Sequence, residues 1–123
     1  MIKKESRIPK KYFPQVLKGS SLHGEFFRVT LSSPISDFSP NCAVILSKKH
    51  IKKANQRNLV KRLIYKVISD NFTILPKKTL VFSVVKSISL GKTKEERKEF
   101  QNLIIKDISL LIYQISKKYE KNS

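Results

Sequence analysis

Apolar side chains recur along this chain with two periods, and the change from one to the other separates strands from helices. Over 25–31, Phe27, Val29 and Leu31 alternate with Phe26, Arg28 and Thr30, which predicts a strand with two unlike faces. Residues 42–46 form a short continuous apolar run, the signature of an interior strand. Residues 79–85 are rich in β-branched side chains and predict another strand. Between these, Val60, Ile64, Val67 and Ile68 fall on one face at about 100° per residue, with Leu63 at its edge. They predict a helix that starts after Ser47 and ends near Asn71. Phe100, Leu103, Ile104, Ile108, Leu111, Ile112, Ile115 and Tyr119 repeat that spacing in a closing helix, where they predict a core-facing stripe. Thr93 and Glu96 supply its capping box, and Glu95 joins Glu96 in the first turn.

The polar punctuation agrees with this division. A short helix is predicted over 13–18, with Pro14 in its first turn, Gly19 ending it, and Phe13, Val16 and Leu17 on one face. Ser20-Ser21-Leu22 runs into His23-Gly24, a turn signal. Residues 32–41, with Pro34 and Pro40, read as a loop, and 76–78 as a connector. The expected organisation is a loose basic arm over 1–11, a single domain over 12–119 and a polar tail over 120–123.

Charge changes the picture from fold to partner. The 123 residues hold 26 Lys and Arg against 9 Asp and Glu, a formal net charge of +17. From Phe38 to Ser69 the chain carries Lys48, Lys49, Lys52, Lys53, Arg57, Lys61, Arg62 and Lys66, and no acid. Like charges at i,i+4 repel by roughly 0.2–0.5 kcal/mol each. A polyanion relieves that repulsion, and nucleic acid is the commonest polyanion. A disordered basic tail is excluded by the 40% hydrophobic content. The longest apolar runs are far too short to span a membrane, and no apolar run follows Met1-Ile2-Lys3-Lys4, so neither a membrane partner nor a signal peptide is expected. Cys42 is the only cysteine, which excludes an internal disulfide and a Cys-based zinc site, and the expected location is cytoplasmic. His23, His50 and Cys42 are scattered, and Asp37, Asp70 and Asp107 are isolated from one another. No general base and no carboxylate pair for Mg²⁺ emerges from them.

Extending the apolar face of the central helix backwards brings Lys53 and Arg57 close to its azimuth. Charged heads are not buried unpaired, so the first turns are expected to project past the sheet. Lys53, Arg57 and Lys61 then form a row, and Arg62 and Lys66 lie on the outer face. The N–H groups of the first turn add positive potential there. Asn58 has two readings, a hydrogen bond to a sugar or base edge, or a local bond at the helix start.

Ser47-Lys48-Lys49, followed by Ala54-x-x-Arg57-Asn58-x-x-Lys61-Arg62, resembles the signature of the protein subunit of bacterial ribonuclease P. The resemblance extends as a pattern over about 7–113. It implies an α+β fold, an α/β sandwich of order α-β-β-β-α-β-α with a four-stranded mixed sheet, similar to domain 2 of ribosomal protein S5. It also implies that the signature helix is a left-handed crossover, a hand that no pattern would suggest since right-handed crossovers are the norm. By this resemblance the catalytic centre and its Mg²⁺ belong to a large RNA, and the protein itself holds no cofactor. The implied partners are that RNA and precursor tRNA, whose 5′ leader is removed; no obligate protein partner is implied. Lys48, Lys49, Lys52, Lys53, Arg57, Asn58, Lys61, Arg62 and Lys66 would bind RNA. Phe13, Leu17, Phe27, Val29 and Ile45 would line a leader cleft, with Tyr65, one turn beyond Lys61, as a further stacking ring.

The chain departs from the family pattern at Leu59, where a second Arg is usual, at Ala43, where Gly is usual, and at Leu17 and Val29, where aromatics are common. A ribosomal or ribosome-associated RNA-binding protein is the alternative. It would share the charge and the sheet-plus-helix architecture without needing the cleft.

Overall fold

The computed structural model describes residues 19–32, 40–88 and 93–119. In chain order these form β1 (Ser20–His23), β2 (Phe27–Ser32), β3 (Asn41–Ile45), α1 (Ala54–Asp70), a 3-10 turn (Phe72–Ile74), β4 (Thr79–Val84) and α2 (Lys94–Tyr119). The expected basic arm, the helix over 13–18 with Phe13 and Leu17, and the polar tail lie outside the described residues.

The sheet order is β1-β2-β4-β3. β1 and β4 flank β2 antiparallel, whereas β3 and β4 are parallel neighbours joined through α1. Register fixes the two faces. Val29 lies opposite Phe82, which lies opposite Val44; Leu31 meets Leu80, which meets Cys42; Phe27 meets Val84. All except Val44 are buried, and they join Val60, Ile64, Val67 and Ile68 of α1 and Ile104, Ile108, Leu111, Ile112 and Ile115 of α2 in one core. Both helices therefore cover this face. Fully burying each such aliphatic side chain contributes roughly 1.5–3 kcal/mol.

The opposite face carries Arg28, Thr30 and Ser32 of β2, Thr79, Val81 and Ser83 of β4, and Asn41, Ala43 and Ile45 of β3. It is smaller and mostly polar where the first face is large and apolar, and Thr30, Asn41, Ala43, Thr79 and Val81 on it are buried.

Three local differences from the sequence reading have physical causes. Ser20–His23 is a strand rather than only the approach to a turn; as a mostly exposed edge strand it needs no apolar alternation. Leu103 is 44% exposed instead of joining the core stripe, because Ile104 occupies the centre of the helix contact. Residues 25 and 26 belong to the β1–β2 turn, since their N–H groups point at Asp107 and not into the ladder.

That turn is closed by α2. The Asp107 carboxylate accepts hydrogen bonds from the N–H groups of Glu25 (2.7 Å), Phe26 (3.1 Å) and Phe27 (3.1 Å). Gly24 permits the approach, because a Cβ there would stand 2.6 Å from Asp107 Oδ1. A ring pair, Phe26 and Phe100 with centroids 5.8 Å apart, packs the same corner.

Candidate nucleic-acid interface

The chain leaves β3 at Ile45 and makes one tight turn before α1. Ser47 O accepts from His50 N (3.2 Å) and Ile51 N (3.0 Å), and Ser47 Oγ lies 2.7 Å from His50 Nδ1. Ile51 is fully buried and anchors the loop from beneath. His50 O accepts from Ile88 N at 2.9 Å, tying the loop to the segment that follows β4.

Helix α1 then starts at Lys53 in extended conformation (φ −88°, ψ 131°), with no side-chain cap and no acid in its first turn. The positive end of the helix dipole is left uncovered by any carboxylate of its own helix. At the other end, Asn71 stops the helix with both its N–H and its Nδ2 on Val67 O.

Lys48, Lys49, Lys52, Lys53, Asn58, Lys61, Arg62 and Lys66 are all exposed, while Val60, Ile64, Val67 and Ile68 are buried as the spacing predicts. The surface is thus a basic loop and helix start set on an apolar base. Lys66 differs from the rest, since Asp70 lies 3.6 Å away one turn on. Both side chains are well exposed, so this pair contributes little stability, but it does place one acid beside the basic face.

Arg57 corrects the row expected from azimuth alone. Its guanidinium turns back, with Nη1 donating to Ile51 O (2.8 Å) and Lys52 O (2.9 Å). Arg57 therefore clamps the loop that precedes its own helix, and it is half-buried where Lys53 and Lys61 are exposed. Asn58 is exposed on the solvent side of that clamp.

The leader-cleft candidates among the described residues, Phe27, Val29, Ile45 and Tyr65, do not come together. Phe27 and Val29 are fully buried in the core beneath α1 and α2, so they cannot line a cleft. The alternation along β2 is as expected, but the face carrying Phe27 and Val29 is the one that meets the helices. Ile45, half-buried, is on the other face, and Tyr65 is partly buried against the core. On Ile45's face the sequence reading passed over Arg28, Ser32 and Ser83. Their Arg28 Nε, Ser32 Oγ and Ser83 Oγ are buried without a hydrogen-bond partner. The alternation of polar residues with Phe27, Val29 and Leu31 was the available signal for Arg28 and Ser32, and Ser83 shares their face through its register with Arg28.

Other chemistry is absent among the described residues. Asp107 is engaged by three amides and Asp70 by Lys66. No group of three or more His, Cys, Asp or Glu among the described residues is placed to hold a metal ion. Cys42 is a free, buried cysteine whose thiol is pushed up to about 12 by desolvation, so it is no nucleophile. No helix among the described residues is long and apolar enough to cross a membrane.

Comparison with known proteins agrees with this geometry. The family described as Ribonuclease P matches over residues 2–107. The fold is similar to that of the RNase P protein of Staphylococcus aureus (TM-score 0.69, 19% identity, covering 91% of this chain and 95% of that one). It is also similar to the RNase P protein of Thermotoga maritima (TM-score 0.66, 22% identity, covering 89% and 96%). No curated protein matches the chain.

Proposed function

The chain belongs to the ribonuclease P protein family, and on that premise we propose how its surfaces divide the work of RNA binding. It is the protein component of a ribonucleoprotein endoribonuclease that processes tRNA 5′ ends. In this reading the partner ribonuclease P RNA docks on the loop over 47–53 and on the exposed side of α1. The observation that carries it is a set of exposed cations (Lys48, Lys49, Lys52, Lys53, Lys61 and Arg62) with no acid between Phe38 and Ser69. Phosphates supply the opposite charge, and counterion release supplies much of the affinity. Mg²⁺ enters through the RNA.

Precursor tRNA is the substrate, and its 5′ leader crosses the register row Arg28–Ser83–Ile45, the half-buried end of the sheet face opposite the helices, whereas Thr30, Val81 and Ala43 further along that face are buried. Support comes from the polar character of that face. Arg28 and Ser83 are register partners there, and Arg28 Nε and Ser83 Oγ lack partners within the described protein. A buried polar group without a partner costs about 1–3 kcal/mol, which an RNA oxygen or a bridging water offsets. Phe27 and Val29 have no part in this. The enzyme so assembled would work in the cytoplasm.

Reconstitution tests the reading. The chain is mixed with a bacterial ribonuclease P RNA at low Mg²⁺ and cleavage of precursor tRNA is followed. Cleavage that depends on both components is expected, and a loss of leader-dependent affinity in Arg28→Ala that spares mature tRNA. Failure to bind the RNA would remove the docking surface; equal losses for both tRNAs would remove the leader face.

A further inference from the structure

We propose that His50 is a phosphate contact for the partner RNA, binding as the imidazolium, so that formation of the complex takes up a proton from solvent. The inference rests on the docking surface described above and adds to it a residue and a pH dependence.

The geometry prepares the ring for this role. The tight turn on Ser47 O and the bond from Ile88 N fix the His50 backbone from two sides. The Ser47 hydroxyl, 2.7 Å from Nδ1, fixes the ring. A serine hydroxyl donates to a neutral ring nitrogen and accepts from a protonated one, so the ring keeps its position in either charge state. Nε2 has no partner among the described residues.

The charged groups around His50 are of one sign. The loop carries Lys48, Lys49, Lys52 and Lys53, α1 contributes Arg57, and the segment bonded to His50 O carries Lys86. Glu25 belongs to the hairpin turn, which that segment meets through Val85 N on Phe26 O (2.8 Å) and not through Ile88. No described residue of the loop, of the first turns of α1 or of the segment over 85–88 is an acid. Among the described residues, then, no carboxylate supplies the counter-charge for an imidazolium, and we assign it to an RNA phosphate. A phosphate at Nε2 favours the protonated ring over the neutral one, so binding and proton uptake are coupled.

The test is calorimetric titration of a bacterial ribonuclease P RNA with the full chain at pH 6.5 to 7.5, in buffers of different ionisation enthalpy. Buffer-dependent heat is expected, equivalent to uptake of roughly 0.3–1 proton, with affinity falling about three- to tenfold between pH 6 and 8. His50→Gln retains a side chain that can hydrogen-bond Ser47 but carries no charge. It should abolish the buffer dependence and flatten the pH profile, while matching the parent near pH 8. No uptake by the parent, or the same uptake by His50→Gln, would overturn the proposal and leave the docking surface standing. Absence of RNA binding at every pH would overturn both.

Discussion

Arg57 can act on RNA in two ways, directly as a phosphate ligand or indirectly by holding the loop that carries four lysines. The geometry favours the second, since Nη1 is committed to Ile51 O and Lys52 O. Hydrogen bonds to a charged group contribute about 1.5–3 kcal/mol each when well buried. One of these two is only part-buried and the other is exposed, so screening reduces the pair to roughly 1–2 kcal/mol of loop closure. Arg57→Ala should then weaken RNA binding by about five- to thirtyfold, the same energy expressed as lost preorganisation. The separating variant is Arg57→Lys, which keeps the charge but loses the planar fork that reaches two carbonyls. The assay is RNA affinity as a function of salt. A phosphate ligand contributes about 0.7–0.9 to the slope of log affinity against log salt, whereas a clamp contributes nothing to it. Weakened binding with an unchanged slope in Arg57→Lys is expected, together with faster amide exchange over 47–53. A lysine variant that binds like the parent, with an alanine variant that loses about one unit of slope, would refute the clamp.

Three further outcomes follow from the packing. Asp107→Ala leaves three N–H groups of the β1–β2 turn without their acceptor and should cost about 2–4 kcal/mol in a denaturant titration; a loss below half a kcal/mol would show that water replaces the carboxylate. Ile104→Ala should cost about 2–5 kcal/mol, whereas its exposed neighbour Leu103 should tolerate Leu103→Lys within about half a kcal/mol, a contrast readable as melting temperatures. The Cys42 thiol, raised to about 12 by burial, stays protonated in the folded chain while the unfolded thiol ionises near its ordinary value; the folded state then binds more protons, so stability falls above about pH 9 by up to roughly 1.4 kcal/mol per pH unit. Cys42→Ala should remove that component of the alkaline loss, and an unaltered slope would assign it to other groups.

What was legible in the sequence was whatever rests on periodicity. Val60, Ile64, Val67 and Ile68 are buried because a helix with that stripe has one place to put it. The alternation in β2 was equally clear, yet which face met the helices was not, because Phe26 and Phe27 place an aromatic in each set. The bracing role of Arg57 was hidden for a different reason. Its partners are main-chain carbonyls, which every residue has, so no side-chain pattern announces them. Asp107 appeared isolated because its partners lie some eighty positions earlier in the chain. The signature Ser47-Lys48-Lys49 and Arg57-Asn58-x-x-Lys61-Arg62 marked the candidate interface, while its internal bracing is visible only in the fold.

The placement of the acids suggests that the start of α1 is kept less stable than it could be. A carboxylate in the first turn of a helix contributes about 0.3–1 kcal/mol through the dipole. Helix α2 has Glu95 and Glu96 there, with Glu96 N on Thr93 Oγ1 at 3.1 Å, whereas α1 has neither acid nor cap. Asn55 is exposed in that first turn, so Asn55→Asp tests the trade directly. The added charge complements the dipole and relieves repulsion among Lys52, Lys53 and their neighbours, so the melting temperature should rise by about 1–4 °C. The same charge stands where phosphate is expected, so RNA affinity should fall about three- to tenfold at moderate salt, and the loss should shrink as salt rises. If the variant gains stability and binds RNA as tightly as the parent, the bare first turn is not part of the docking surface. If it gains no stability, the helix end is already satisfied by its surroundings and the trade does not exist.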